Sequence, residues 1–143
     1  MNFDENCLYC SKSKDLDSLM IKICDLEVST VYLFKEQTYR GRCNVVFKEH
    51  KSEITDLTEE EAAAFIKDIR KVAKAIQEAF NPDKINYGSY ADEMKHLHMH
   101  VVPKYEGGPS WGATFEMNPG KVLLNDEEYN ELITKINLSL HTC

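Results

Sequence analysis

The sequence contains no run of about 18 or more apolar residues, so nothing in it reads as a membrane span. Nor does it contain an internal repeat or a low-complexity tract that would set one part of the chain apart from the rest. Positive charge is in short supply: 17 Lys+Arg stand against 24 Asp+Glu, a formal net charge of -7. A general nucleic-acid binder needs a basic face to displace counterions, and that class is therefore excluded. A phosphorylated small molecule held by a local site is not. The opening residues, Met1-Asn-Phe-Asp-Glu-Asn6, lack the basic-then-apolar order of a secretory signal. The expected compartment is the cytoplasm, where thiols stay reduced. The five cysteines are an odd number and cannot all pair within one chain.

What is present suffices for one compact domain. The chain has 143 residues, of which 43% are apolar and 29% charged, a length that buries a core without disulfide staples. Residues 1–18 are polar. Ile21–Leu26, Val28–Phe34 and Cys43–Phe47 read as strands, rich in β-branched and aromatic types, with a turn at Tyr39-Arg-Gly41. Thr58 with Glu61 three residues on is a capping-box pattern followed by an acidic first turn. Ala62, Phe65, Ile69, Val72, Ile76 and Phe80 then recur at helical spacing, which predicts one long helix ended by Asn81-Pro-Asp83. Ile85–Tyr87 and Met94–Val102 are strand-like, with Pro103 ending the second. Asn125 or Asp126 caps a closing helix with Tyr129, Leu132, Ile133 and Ile136 on its apolar side. The expected fold is α+β: an antiparallel sheet of about five strands, the long helix packed on one face, and a C-terminal helix.

Chemistry concentrates in His96-Leu-His-Met-His-Val-Val102. Side chains alternate along a strand, so Leu97, Met99 and Val101 face the core while His96, His98 and His100 share the opposite face. Each imidazole needs hydrogen-bond partners if buried. Cys7 and Cys10 form a Cys-x-x-Cys, the spacing of half a tetrahedral zinc site, of an idle pair in a turn, or of a redox pair. Cys24, Cys43 and Cys143 read as small hydrophobes or an idle tail thiol. Arg40 and Arg42, on the turn before the third strand, read as solvent-exposed.

The triad segment resembles the His-φ-His-φ-His-φ-φ signature (φ apolar) of the histidine triad (HIT) family of nucleotide-binding proteins, and every position fits. Asn86-Tyr-Gly88 is similar to the family's Asn-x-Gly, Val101-Val-Pro-Lys104 to its strand exit, Val45–His50 to its strand ending in Lys-x-His (with Phe47 for the usual Pro), and Asp56-Leu-Thr58 to its helix start. The likeness runs from about Cys7 to Lys104, within a single HIT-like domain over 1–143. That domain comprises an N-terminal segment 1–18, a triad strand 94–103 and a tail 105–143.

The resemblance implies a hydrolase that cleaves a phosphoanhydride or phosphoramidate at the α-phosphate of a nucleotide, as dinucleoside-polyphosphate hydrolases and nucleoside phosphoramidases do. His98 would be the nucleophile, its other ring nitrogen held by a backbone carbonyl of its own strand. His100 and Asn86 would bind the substrate. The alternatives are a nucleotidyltransferase or phosphorylase using the same intermediate, and a nucleotide- or partner-binding module with little turnover. Zinc-containing members of the family, similar to bacterial HIT proteins, imply a structural zinc held by Cys7, Cys10, His50 and His96. They also imply a homodimer, with Trp111 and Phe115 as candidates for the substrate rim or dimer contact. Ala91-Asp-Glu93 departs from the family's hydroxyl- or amide-bearing stretch before the triad, and no role is carried over to Glu93.

Overall fold

A computed structural model of the chain describes residues 3–141. Two short helices open the chain: α1 (Leu8–Ser11) and α2 (Lys14–Leu19). They occupy the segment that composition marked only as polar. Three strands follow, β1 (Met20–Asp25), β2 (Ser29–Phe34) and β3 (Cys43–Phe47). A single 3-10 turn, Ile54–Asp56, precedes the long helix α3 (Glu59–Phe80). Then come β4 (Lys84–Gly88), β5 (His98–Lys104) and the closing helix α4 (Asp126–Leu140). All four strand pairings are antiparallel, and the five strands lie in the order β1-β2-β3-β5-β4. The α+β expectation and the strand count hold.

The capping signals act as read. Thr58 Oγ1 accepts the Glu61 amide at 3.1 Å while the Glu61 carboxylate accepts the Thr58 amide at 2.8 Å, so two otherwise unpaired donors are satisfied. Asn125 and Glu128 repeat the device at the start of α4. The face of α3 carrying Phe65, Ile69, Val72 and Ile76 buries against Val31, Leu33, Val45 and Val101 of the sheet, and Leu132, Ile136 and Leu140 of α4 join that core. Asp68, buried on the same helix face, accepts from the Val28 amide and the Ser29 hydroxyl and pins α3 to the head of β2. Cys43 is a free thiol in this core, its thiol pushed up by burial. Cys24 is buried there too but is partnered, which corrects its reading as idle. Cys143 lies outside the described residues.

Two boundaries differ from expectation. The triad strand begins at His98 rather than Met94, because its neighbour β3 ends at Phe47 and offers no ladder beyond. The chain before it bends, with the His96 amide on the Met94 carbonyl at 2.8 Å and the Leu97 amide on the Lys51 carbonyl at 2.7 Å. Pro103 lies inside the strand rather than ending it. β3 pairs only as far as Val101, so on that side Pro103 has no ladder bond to lose.

The turn into β3 depends on Gly41, whose φ of +96° suits glycine and whose absent Cβ would meet the Phe80 ring at 2.6 Å. On the sheet face away from α3, residues 105–117 fold back as a strap. Tyr39 fixes it, its hydroxyl 2.7 Å from Ser110 Oγ and accepting the Glu116 amide at 2.7 Å. Phe65 of α3 is 1% exposed and edge-on to Phe47 at 5.5 Å between ring centroids. Phe65→Ala is expected to cost about 3–5 kcal/mol of unfolding free energy in a urea titration.

Candidate active site and metal cluster

The period of two places the triad as the sequence predicts. Leu97 and Val101 enter the core and Met99 packs against it, while His96, His98 and His100 lie on the far face. They are not a solvated row: their exposures are 1%, 5% and 4%. Burial therefore forces each ring to find partners, and those partners assign its tautomer.

His98 Nδ1 lies 2.6 Å from the His96 carbonyl oxygen. A carbonyl only accepts, so Nδ1 carries the proton and Nε2 keeps its lone pair. Burial also lowers the tendency of this ring to charge. His100 has the opposite arrangement. Its Nδ1 faces Arg42 Nη2 at 3.2 Å, and a guanidinium only donates, so Nδ1 accepts and Nε2 carries the proton. Burial, then the nearby Arg42 charge, pull the His100 pKa down to about 3, and the ring stays neutral. The two rings meet edge to face with centroids 5.0 Å apart.

His96 serves a different end. Its Nε2 donates to the Phe47 carbonyl at 2.6 Å, which leaves Nδ1 as a lone pair. That one atom lies 3.3 Å from Cys7 Sγ, 3.5 Å from Cys10 Sγ and 3.3 Å from His50 Nδ1. Cys10 Sγ is in turn 3.5 Å from His50 Nδ1, and all four ligand atoms lie within 4.8 Å of one another. A tetrahedral ion with bonds of ~2.1 Å to nitrogen and ~2.3 Å to sulfur spaces such ligands about 3.4–3.6 Å apart. A single lone pair cannot serve three donors at once, whereas four donor atoms around a common centre fit an ion. Cys7, Cys10, His50 and His96 could thus hold an ion as a closed four-ligand set, with the His96 ring oriented from behind by Phe47. The set is assembled by α1, which puts Cys7 and Cys10 on one side of a helical turn. Asp4 Oδ2 approaches the outer nitrogen of His50 at 3.9 Å.

The remaining expectations divide. Asn86 lies on the triad face of edge strand β4, opposite Val102, and is half-buried. Asp92 and Glu93 are exposed, and Glu93 lines a cleft with Cys7 and His50 at the metal-ligand end. Trp111 is 42% exposed, whereas Phe115 is buried with its ring 6.1 Å from His100. Arg42 contradicts its reading as solvent-exposed: it is fully buried on the triad face. Its signal was present, since residue 42 continues the parity of Asn44 and Val46. That parity carries meaning only once β3 is known to pair with the triad strand. Tyr9, between the two ligand cysteines, was also missed; its ring lies 5.4 Å from His96 and 5.2 Å from His98, walling the triad from the N-terminal side.

Comparison with known proteins agrees with this geometry. The HIT domain family model matches residues 20–107. "Protein hit" of Bacillus subtilis is 30% identical over 81% of this chain and 83% of its own length. A protein of Schizosaccharomyces pombe named adenosine 5'-monophosphoramidase is 28% identical over 90% of this chain and 98% of its own. Among solved structures, a histidine triad protein of Bradyrhizobium japonicum superposes with a TM-score of 0.81 at 23% identity, covering 90% of this chain and 96% of that one. A zinc-bound histidine triad family protein of Mycobacterium smegmatis gives 0.69 at 24%, covering 95% and 94%.

Proposed function

This chain belongs to the HIT domain family, and within it we propose a nucleotide hydrolase that cleaves a phosphoramidate or phosphoanhydride at the α-phosphate through His98. The observation that carries this reading is the tautomer of His98: its Nδ1–H is spent on the His96 carbonyl, so Nε2 keeps a lone pair that no other group engages among the described residues. In the first step that lone pair attacks the α-phosphorus. The bond to the leaving nitrogen or oxygen breaks with its electron pair, and the leaving group takes up a proton from solvent, which the water of the second step returns. Water then attacks the phosphorus of the nucleotidyl-histidine, releases the nucleoside monophosphate and returns the ring to its starting state. His100 donates from Nε2 to a phosphate oxygen as charge builds there. Asn86, on the same face, offers a neutral hydrogen bond to the phosphate or ribose. Relatives named adenosine 5'-monophosphoramidase in two yeasts support a phosphoramidate of adenosine as the first substrate to try.

Zinc is the ion that suits two thiolates and two imidazoles with no ligand position left open. When bound it is structural, tying the N-terminal helices to the sheet. The two thiolates balance its charge, so the lone pair of His98 keeps its basicity. Such a site needs reduced cysteines, in keeping with the cytoplasm; among the described residues no helix is long and apolar enough to cross a membrane. A homodimer is part of the same reading. β4 is an edge strand with one side unpaired among the described residues, and Tyr87 upon it is 53% exposed beside Ile66 of α3, 57% exposed. With Ile69, Ala73 and Met99 they form the apolar part of a groove, also lined by Arg70, Lys74 and Gln77, that a second copy would cover.

Rapid mixing with adenosine 5'-phosphoramidate and quenching in base is expected to trap a nucleotidyl adduct on His98. His98→Ala should abolish both adduct and turnover while nucleotide binding persists; surviving turnover would sink the mechanism. Metal analysis is expected to find about one zinc per chain, lost in Cys7→Ser with a lowered melting temperature. An unaltered melting curve of the metal-free protein would count against a structural role. Tyr87→Asp together with Ile66→Lys should convert the dimer to a monomer in sedimentation, and a monomeric wild type would refute the assembly.

A further inference from the structure

Arg42 is fully buried, yet it has no acidic partner: among the described residues no ion pair reaches it. Glu36, the one acid whose charge acts noticeably on it, spends its carboxylate on the Thr38 hydroxyl and amide and on the amides of Lys121 and Val122. The guanidinium carbon lies instead over the rings of Phe34, 4.0 Å from its centroid, and Phe115, 5.2 Å away. Its donors go to neutral acceptors: Nη1 to the Glu116 carbonyl at 3.3 Å, and Nη2 to Met117 Sδ at 3.4 Å and His100 Nδ1 at 3.2 Å. Nε is buried with no acceptor among the described residues. Burying a cation without a counter-ion is costly. Burial lowers its pKa only to about 10, so the charge persists at neutral pH. An uncompensated charge of this kind, on the face of a phosphate-handling triad in a protein of net charge -7, needs an explanation beyond packing.

The tautomer of His100 supplies one. A neutral imidazole can turn either a proton or a lone pair toward a phosphate oxygen, and only the proton attracts it. Nothing but Arg42 hydrogen-bonds His100 Nδ1 among the described residues. We propose that Arg42 is a positioning residue of this site: by donating to Nδ1 it keeps the single proton of His100 on Nε2, and it leaves a fixed positive charge behind the ring for an anionic phosphoryl group. The adjacent rings are thereby set to opposite tasks. His98, whose Nδ1 donates to a carbonyl, offers a lone pair; His100, whose Nδ1 accepts from a guanidinium, offers a proton. Arg42 also grips residues 116 and 117, so it joins the strap to the triad. The assignment of roles rests on the phosphoryl-transfer reading above; the link between Arg42 and the His100 tautomer does not.

Nitrogen-15 NMR of the histidine rings in the full-length, zinc-loaded protein tests that link without substrate. His100 is expected to carry its proton on Nε2 in the wild type and to lose that preference in Arg42→Met. With adenosine 5'-phosphoramidate as probe, Arg42→Met should lower kcat about 100-fold with little change in KM. Its melting temperature should stay within about 5 °C, because methionine fills the space beside the two rings without a buried charge. Arg42→Lys, which can still donate, should keep the tautomer and recover part of the loss. Wild-type His100 protonated on Nδ1 overturns the proposal, and does so even if Arg42→Met fails to fold. An unchanged kcat in Arg42→Met overturns it as well, as does an Arg42→Lys that keeps the tautomer but is equally slow. A wild type that turns over no nucleotide defeats the hydrolase reading, while the NMR result still decides whether Arg42 sets the His100 proton.

Discussion

Antiparallel pairing of β3 with β5 is the constraint on which the site depends. Its register sets Val46 opposite His98 and Asn44 opposite His100. It ends at Val46, and the Phe47 carbonyl just beyond the ladder accepts from His96 Nε2. A slip of one residue would turn the imidazoles into the apolar core and Leu97, Met99 and Val101 out of it. The opposite face of β5 is locked by Val101 under α3, so the packing of the core prevents that slip. The position of His98 is thus held by the burial of apolar residues on the opposite face of its strand.

Each histidine of the triad is neutral and buried, and each has one nitrogen committed to a different kind of partner. A carbonyl for His96 frees a nitrogen for the metal cluster; a carbonyl for His98 frees a lone pair; a guanidinium for His100 fixes a proton. In water these tautomers would interconvert freely. Burial to a few per cent exposure makes an unpaired ring nitrogen expensive, so the fold selects one arrangement for each ring. His96, one of the four clustered residues, lies two positions before His98, so the cluster sits at the base of β5.

Long-range electrostatics work against an anionic ligand, because the chain carries a net charge of -7. The attraction has to be local. On the triad face the buried cations are Arg42 and Lys104; the latter donates to the carbonyls of Ser110 and Ala113. Neither is neutralised by a carboxylate among the described residues, so both charges remain for use in a low-dielectric setting, where they count for more than on the surface.

Much of this was legible in the chain. Alternation placed the three histidines on one face, the capping box started α3 at its residue, and the spacing of apolar positions chose the face that α3 buries. The likeness of Cys7, Cys10, His50 and His96 to a ligand set also pointed to residues that do converge. The solvent-exposed reading of Arg42 failed, Tyr9 went unnoticed, and the strap over residues 105–117 had no signature. These failures have one origin. Periodicity follows from backbone sterics within a few residues, so the sequence determined by itself which side chains of a strand or helix share a face. Which other segment covers that face depends on strand pairing and loop closure between residues tens of positions apart, and only the tertiary structure decided that Arg42, Tyr9 and Phe115 would wall the histidines.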